Sequence, residues 1–372
     1  MTVRPAIIIV AYSARALAAS AKGAGFAPLS IDVFGDDDMR EMSFASVKLD
    51  GGLSGGLTLD KVAGAVEMLI TAHDPVGPVY GAGFEHQPET IAAIALKTRV
   101  FGNGGETLKR AKDPVRLARI CEANGVQHPQ VAFAPPDEPG LWLKKRRGGA
   151  GGAHIATADA SSRASPDSYF QRRVGGKGIS ALFIAGKRKA EIIGLSMQWI
   201  APTPVSPYRY GGAAGPVDID PRQAEEISRS VGIIASELDL VGLNSVDFLV
   251  SSDAVWLIEI NPRPGATLDV FESNASSLFA RHVAACEGRS TPTSTRLAFK
   301  AAEIVYAPCD MVAPERRSWP HWAVDRSAPG TRFSSGDPVC TVLASGATVD
   351  LARACAGERA RAIIALVQEA EH

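Results

Sequence analysis

The sequence is short of most features that mark a specialised surface. Its 372 residues carry 39 Lys and Arg against 40 Asp and Glu, a formal net charge of −1. That balance argues against a surface built wholesale for nucleic acid or an anionic membrane. The longest unbroken apolar run, Ala6 to Tyr12, falls far below the roughly 20 residues of a membrane helix. It is also too short and too β-branched for a signal-peptide core. Five cysteines (Cys121, Cys286, Cys309, Cys340, Cys355) form no CxxC pair and are odd in number. They suit reduced thiols in a cytoplasm better than a secreted disulfide framework. No HExxH or His/Cys cluster appears among seven histidines, which argues against zinc. No GxGxxG opens the first crossover, so a dinucleotide-binding reading has little support.

What is present is ordinary globular composition, 46% hydrophobic and 21% charged, enough for two or three domains at roughly 150 residues each. Residues 6–12 read as a buried strand, followed by a helix over 13–20 with Ser13 at its start. A second strand over 27–34, a helix over 59–72 and the run 77–83 continue the alternation. This predicts a doubly wound parallel α/β domain over residues 1–108. Residues 112–125 read as an amphipathic helix with Pro114 in its first turn and Gly125 as its stop. Short strands joined by Gly-rich turns are expected over 141–199, then a Pro/Gly/Tyr loop over 202–216 and a helix over 221–238. A hairpin over 242–250 and 254–260 follows, then strands over 299–306 and 338–343 and a closing helix over 350–371.

The hairpin carries the strongest chemistry: Asp247 on one strand and Glu259-Ile-Asn261-Pro-Arg263-Pro on the other. Strand residues two apart share a face, so Glu259, Asn261 and Arg263 are presented together, with Asp247 across the pair. Two carboxylates and an amide carbonyl are hard oxygen donors suited to Mg²⁺, and an arginine beside them suits phosphate or carboxylate oxygens. A solvent-facing acidic hairpin would look the same in isolation. Here apolar flanks, Val246, Phe248 and Trp256 to Ile258, favour a buried functional face. A second feature is Lys144-Lys145-Arg-Arg-Gly148-Gly149-Ala-Gly151-Gly152, a strand delivering lysine into a glycine loop whose N–H groups could cover phosphates. It is not a Walker A loop, and alone it would equally fit a tight hairpin. A third, Gln171 through Arg173 to Val174, reads as a connector able to offer backbone groups to an adenine edge.

In order and spacing these features resemble the ATP-grasp superfamily of carboxylate–amine and carboxylate–thiol ligases, and within it the predicted ATP-dependent carboligases related to biotin carboxylase. The resemblance runs to about residue 295 and is most specific at Asp247…Glu259-x-Asn261-x-Arg263. It implies that Asp247, Glu259 and Asn261 bind two Mg²⁺ ions, with Mn²⁺ as a substitute, and that Arg263 stabilises the transferred phosphoryl or acyl-phosphate group. It further implies ATP contacts from Lys144 or Lys145, from Gly148, Gly149, Gly151 and Gly152, and from a hinge of Gln171, Arg173 and Val174. Lys112 is the nearest candidate for an earlier nucleotide-binding lysine. Gly178 stands where a ribose-binding Glu is common. Substrate contacts are expected from Ser13, Glu85 and Arg209, in a cleft between the N-terminal domain and the ATP lobes.

The implied architecture is α/β: an N-terminal domain (1–108), a two-lobed α+β ATP-grasp domain (109–295) with a lid over about 141–200, and a small β-rich cap (296–372). The implied reaction joins a small-molecule carboxylate to an amine through an acyl phosphate. An amino acid such as glutamate and a one-carbon-carrier precursor, methanofuran-like or tetrahydromethanopterin-like, are the substrates that analogy suggests. A carboxyphosphate-forming or kinase-like enzyme and a non-catalytic ATP-binding module are the alternatives. A cytoplasmic protein, as a homodimer or not, fits each of them, with neither nucleic acid nor membrane as partner. The near-zero charge is itself a cancellation: residues 141–190 hold eleven Lys or Arg against two Asp. One basic lobe in an acidic body suits a polyphosphate, and it lacks the aromatic interleaving of a nucleic-acid groove.

Overall fold

The β-branched run near the N-terminus makes β1 (Ala6–Val10) the central strand of a parallel sheet in the computed structural model, which describes residues 4–186, 189–273, 277–289 and 297–369. β2 (Ala27–Asp32) and β3 (Ala45–Lys48) lie on one side of β1 and β4 (Pro78–Tyr80) on the other, in the order β3-β2-β1-β4. Alternate residues of β1 serve the two faces. Ile7 and Ile9 pack with Leu17, Ala18 and Ala21 of helix Arg15–Gly23. Ile8 and Val10 pack with Val62, Val66 and Leu69 of helix Leu59–His73. The doubly wound expectation holds.

Helices Pro88–Ala95, Gly105–Ala111 and Pro114–Ala123 lead out of this domain, the last capped by Asp113, whose carboxylate accepts from Val115 N–H at 2.9 Å. A small antiparallel sheet follows, built of β5 (Val131–Ala132), β6 (Trp142–Arg146), β7 (Ile155–Thr157) and β8 (Ser168–Arg172). Trp142, Ala158 and Phe170 form its own core.

Eight of the ten remaining described strands build one sheet. β9 (Lys177–Gly186), β10 (Lys189–Ile200), β11 (Tyr210–Gly215), β12 (Gly242–Val250), β13 (Val255–Asn261) and β14 (Phe299–Tyr306) belong to it. A ribbon of β15 (Met311–Val312) with β17 (Arg332–Phe333) stands apart, while β16 (Ala323–Val324) and β18 (Pro338–Gly346) complete the sheet as β13-β12-β9-β10-β11-β14-β18-β16. Ala181, Phe183 and Ala185 of β9 meet Ile227, Val231 and Ile234 of helix Pro221–Glu237 on one face. Leu182 meets Phe279 and Val283 of helix Leu278–Cys286 on the other. No described helix is long and apolar enough to cross a membrane.

Four expectations change. Only residues 131–172 form the separate small sheet; 177–200, within the segment expected as a lid, are central strands of the large one. Part of the expected loop over 202–216 is a strand, β11, because a strand of Gly and Ala lets large side chains lie against it. A Cβ on Gly212 would come within 2.4 Å of the Trp199 ring. The C-terminal segment is β-rich as expected, and its strands β14, β18 and β16 extend the large sheet edge to edge. Ser13 does not begin the first helix, whose N-cap position is Ala14 with no side-chain cap. Helix Val349–Glu369 closes the fold against β14 and β18, and residues 370–371 of the expected helix lie outside the described part.

Candidate active site

In β13 the side chain of Ile260 is fully buried in the core, which leaves its neighbours Glu259 and Asn261 to share the opposite face. Asp247 of β12 is paired with Glu259, and a register shift just after it sets one extra residue of β13 into the ladder. Asn261 Nδ2 donates to Asp247 Oδ2 at 2.9 Å, and the other Asp247 oxygen accepts from Ser180 Oγ of β9 at 2.6 Å and Gln198 Nε2 of β10 at 3.3 Å. Lys112, at the break between two helices, spans Glu259 Oε1 (2.5 Å) and Asn261 Oδ1 (3.1 Å). Arg263, just beyond β13, is held by Glu85 of the N-terminal domain, with Nε and Nη2 both 2.8 Å from Oε1.

The small sheet supplies the opposite wall. β6 and β8 put Trp142 and Phe170 into their own core, so Leu143, Lys145 and Gln171 turn the other way and line the cleft. Lys145 is only 2% exposed, and its ammonium donates to Gln171 Oε1 at 3.2 Å. Lys144 lies on the parity of Trp142 and does not line the cleft; of the two lysines, Lys145 faces it. The glycine loop is clasped from two sides. Gly148 (φ +64°) lies so close to Glu85 that a Cβ would sit 2.4 Å from its carbonyl oxygen. At Gly152 (φ +75°) a Cβ would sit 1.9 Å from the Tyr208 carbonyl, and Tyr210 N–H donates to Gly151 O at 2.9 Å. Side chains are excluded at both positions.

Family comparison matches residues 111–267, the span of this hairpin, loop and connector, to the ATP-grasp domain. The chain carries an ATP-grasp domain. No curated protein matches by sequence. Solved structures share the fold across nearly the whole length. The biotin carboxylase domain of Hydrogenobacter thermophilus 2-oxoglutarate carboxylase is 12% identical over 94% of this chain and 89% of its own, with a TM-score of 0.73. N5-carboxyaminoimidazole ribonucleotide synthetase from Thermotoga maritima is 12% identical over 96% and 98%, TM-score 0.66. L-amino acid ligase from Bacillus licheniformis is 13% identical over 96% and 97%, TM-score 0.71.

Electrostatics sharpen the ATP-grasp site. Burial penalises the Glu259 carboxylate, but Lys112 and Lys145 outweigh it and hold its pKa at about 2. Asp247 goes the other way: burial and the Glu259 charge raise its pKa. Burial lowers the Lys145 pKa, with Glu259 opposing. Two carboxylates forced together and an amide oxygen, with Lys112 already bridging two of them, are a donor set that fits Mg²⁺. Asp247, Glu259 and Asn261 are the residues that would hold it.

The other expected residues are placed as follows. The Gln171–Val174 connector lines the cleft, but the Arg173 N–H is taken by Leu141 O at 2.8 Å. Ser13 lines the cleft and donates to Asp325 Oδ1 at 3.0 Å. Arg209 also lines it, yet its guanidinium donates to Ala201 O and Gly336 O (both 2.9 Å) and stacks 3.5 Å over Tyr306. Sequence reasoning missed Ser180 and Gln198, which orient Asp247 from strands whose register no local pattern reveals. It also missed His154, whose ring packs against Gly149 and whose pKa burial lowers to about 4. A histidine two residues past Gly152 was the available signal.

Proposed function

We propose that this chain is an ATP-dependent carboxylate–amine ligase that activates a carboxylate as an acyl phosphate. The observation that carries the reading is the oxygen face of Asp247, Glu259 and Asn261, bridged by Lys112, with Lys145 and the Glu85-anchored Arg263 beside it. Bound Mg²⁺ would neutralise charge between that face and the β- and γ-phosphates of ATP. Lys145 meets the phosphates from the small sheet. Arg263, its guanidinium fixed by Glu85, steadies the substrate carboxylate as its oxygen attacks the γ-phosphorus and ADP departs. The amine then attacks the acyl carbon, phosphate leaves, and the nitrogen gives up its proton. No side-chain nucleophile is required. The clasped glycine loop keeps water from the acyl phosphate.

The cleft leaves room for a second substrate beside ATP. At about 2230 Å³ it exceeds the roughly 300–1,000 Å³ of a single-ligand pocket. Within the class we place an amino acid such as glutamate and a small cofactor precursor as substrates, in assembly of a methanofuran-like or tetrahydromethanopterin-like carrier. The support for that narrower assignment is the sequence resemblance. The same resemblance supports a homodimer, and the cysteine pattern a cytoplasmic setting.

The test is ATP turnover with carboxylic acid pools and hydroxylamine as the trapping amine. The reading expects hydroxamates, and ¹⁸O moving from labelled carboxylate into phosphate. ADP release with bicarbonate alone and no hydroxamate would replace it with carboxyphosphate formation.

A further inference from the structure

Three segments distant in sequence bring carboxylates to one corner of the cleft, where the N-terminal sheet meets the C-terminal segment. Asp32 ends β2, Asp36 to Asp38 open the next helix, and Asp325 follows β16. Nearly all have partners. Arg15 binds Asp269 through two hydrogen bonds of 2.7 and 2.6 Å and Asp325 through two of 3.1 and 3.2 Å. Asp38 accepts the backbone N–H groups of Asp325 and Arg326 at 2.9 and 2.8 Å. Asp37 meets Arg316 at 2.8 Å, and Asp32 accepts from Gly35 N–H at 2.9 Å.

Asp36 is the exception. It is 3% exposed and lines the cleft, it does not cap the helix it precedes, and among the described residues no hydrogen-bond donor or cation pairs with its carboxylate. Burial first, then Asp325, Asp32 and Asp38, push its pKa well above the usual carboxylate range, and Arg15 opposes them only in part. A buried carboxylate without a partner is costly unless a ligand completes it. Tyr12 and Phe34 line the same cleft, and their rings suit the organic part of a cation better than a bare metal ion. No group of three or more His, Cys, Asp or Glu among the described residues is arranged to hold a metal.

Resting on the ligase reading and deepening it, we propose that this corner binds a primary ammonium group of the small-molecule substrate, with Asp36 as its counter-ion. An amino-acid substrate is thereby anchored through its ammonium at the N-terminal domain, with its carboxylate left for activation.

The test is isothermal titration of the MgADP-loaded protein with 2-phenylethylammonium, and with 2-phenylethanol as the neutral isostere. The proposal expects binding of the ammonium and at least tenfold weaker binding of the alcohol. Asp36→Asn should weaken ammonium binding at least tenfold while MgADP affinity and melting temperature hold, and Asp36→Glu should restore most of it. Equal binding of alcohol and ammonium, or equal binding by wild type and Asp36→Asn, overturns the proposal. The wild-type comparison decides alone if the variant does not fold. Failure to bind the ammonium with MgADP still bound sinks this site and leaves the ligase reading intact. Ammonium binding without any hydroxamate formation supports this site and sinks the ligase reading.

Discussion

Arg263 Nε donates to Glu85 Oε1 at 2.8 Å across 178 residues of chain, so a carboxylate of the N-terminal domain fixes the arginine at the end of the ATP-grasp hairpin. Both side chains are almost wholly buried. Burial would raise the Glu85 pKa, but Arg263 and Lys112 outweigh it and hold the carboxyl below its usual value. The pair joins the two halves of the fold at the point where chemistry is proposed.

Removing one partner should therefore cost stability and chemistry together. Glu85→Gln leaves the Arg263 guanidinium buried without its counter-ion, a loss of about 3 kcal/mol in unfolding free energy. Urea denaturation checks that figure. Hydroxamate formation should fall at least tenfold in kcat, with MgADP affinity changed less than threefold, because Glu85 faces Arg263 rather than the nucleotide.

The two adjacent lysines should behave differently. Lys145 lines the cleft and Lys144 does not, so Lys145→Ala should weaken MgATP binding roughly 10- to 100-fold, the scale of a lost charge-assisted contact. Lys144→Ala should stay within about twofold of wild type. Titration calorimetry on both variants separates them.

The clasp on the glycine loop predicts uncoupling. Gly152→Ala combines a left-handed backbone with a methyl group 1.9 Å from the Tyr208 carbonyl, so the loop must lift from its seat. The acyl phosphate then meets water. The ratio of ADP to amide or hydroxamate should rise several-fold, while MgATP affinity changes little.

A histidine between domains should set acid sensitivity. His282 Nδ1 accepts from Leu243 N–H at 2.8 Å, so the ring is neutral with its proton on Nε2, donated to Phe101 O at 3.0 Å. Burial lowers its pKa to about 4. A depressed folded-state pKa contributes stability that is present above about pH 6.5 and is lost as pH falls through 4, up to about 3 kcal/mol. His282→Gln should flatten the stability curve over that interval, measured by denaturation at stepped pH.

Local pattern made much of this legible. Alternation of core and polar residues exposed the Asp247–Glu259–Asn261 face, Pro114 and Gly125 bracketed a helix, and the glycines of 148–152 marked a loop. Each is a matter of a few consecutive residues. What stayed hidden depends on pairing across the chain. Lys145 is distinguished from Lys144 only once Trp142 is seen to pack with Phe170 of β8. Glu85 read as a substrate contact because nothing local ties it to Arg263. The acidic corner was invisible for the same reason, since Asp36 and Asp325 meet only through the fold. Gly104 at the N-cap and Gly105 in the first turn hid the short helix Gly105–Ala111, just ahead of Lys112.

Glu259 is the centre of the proposed metal–nucleotide face. Titration of ADP with and without Mg²⁺ into wild type and Glu259→Gln measures it without knowledge of the substrates. Wild type should bind ADP in a Mg²⁺-dependent manner, and the variant should bind MgADP at least tenfold more weakly. Equal, Mg²⁺-independent binding by both proteins would contradict the account.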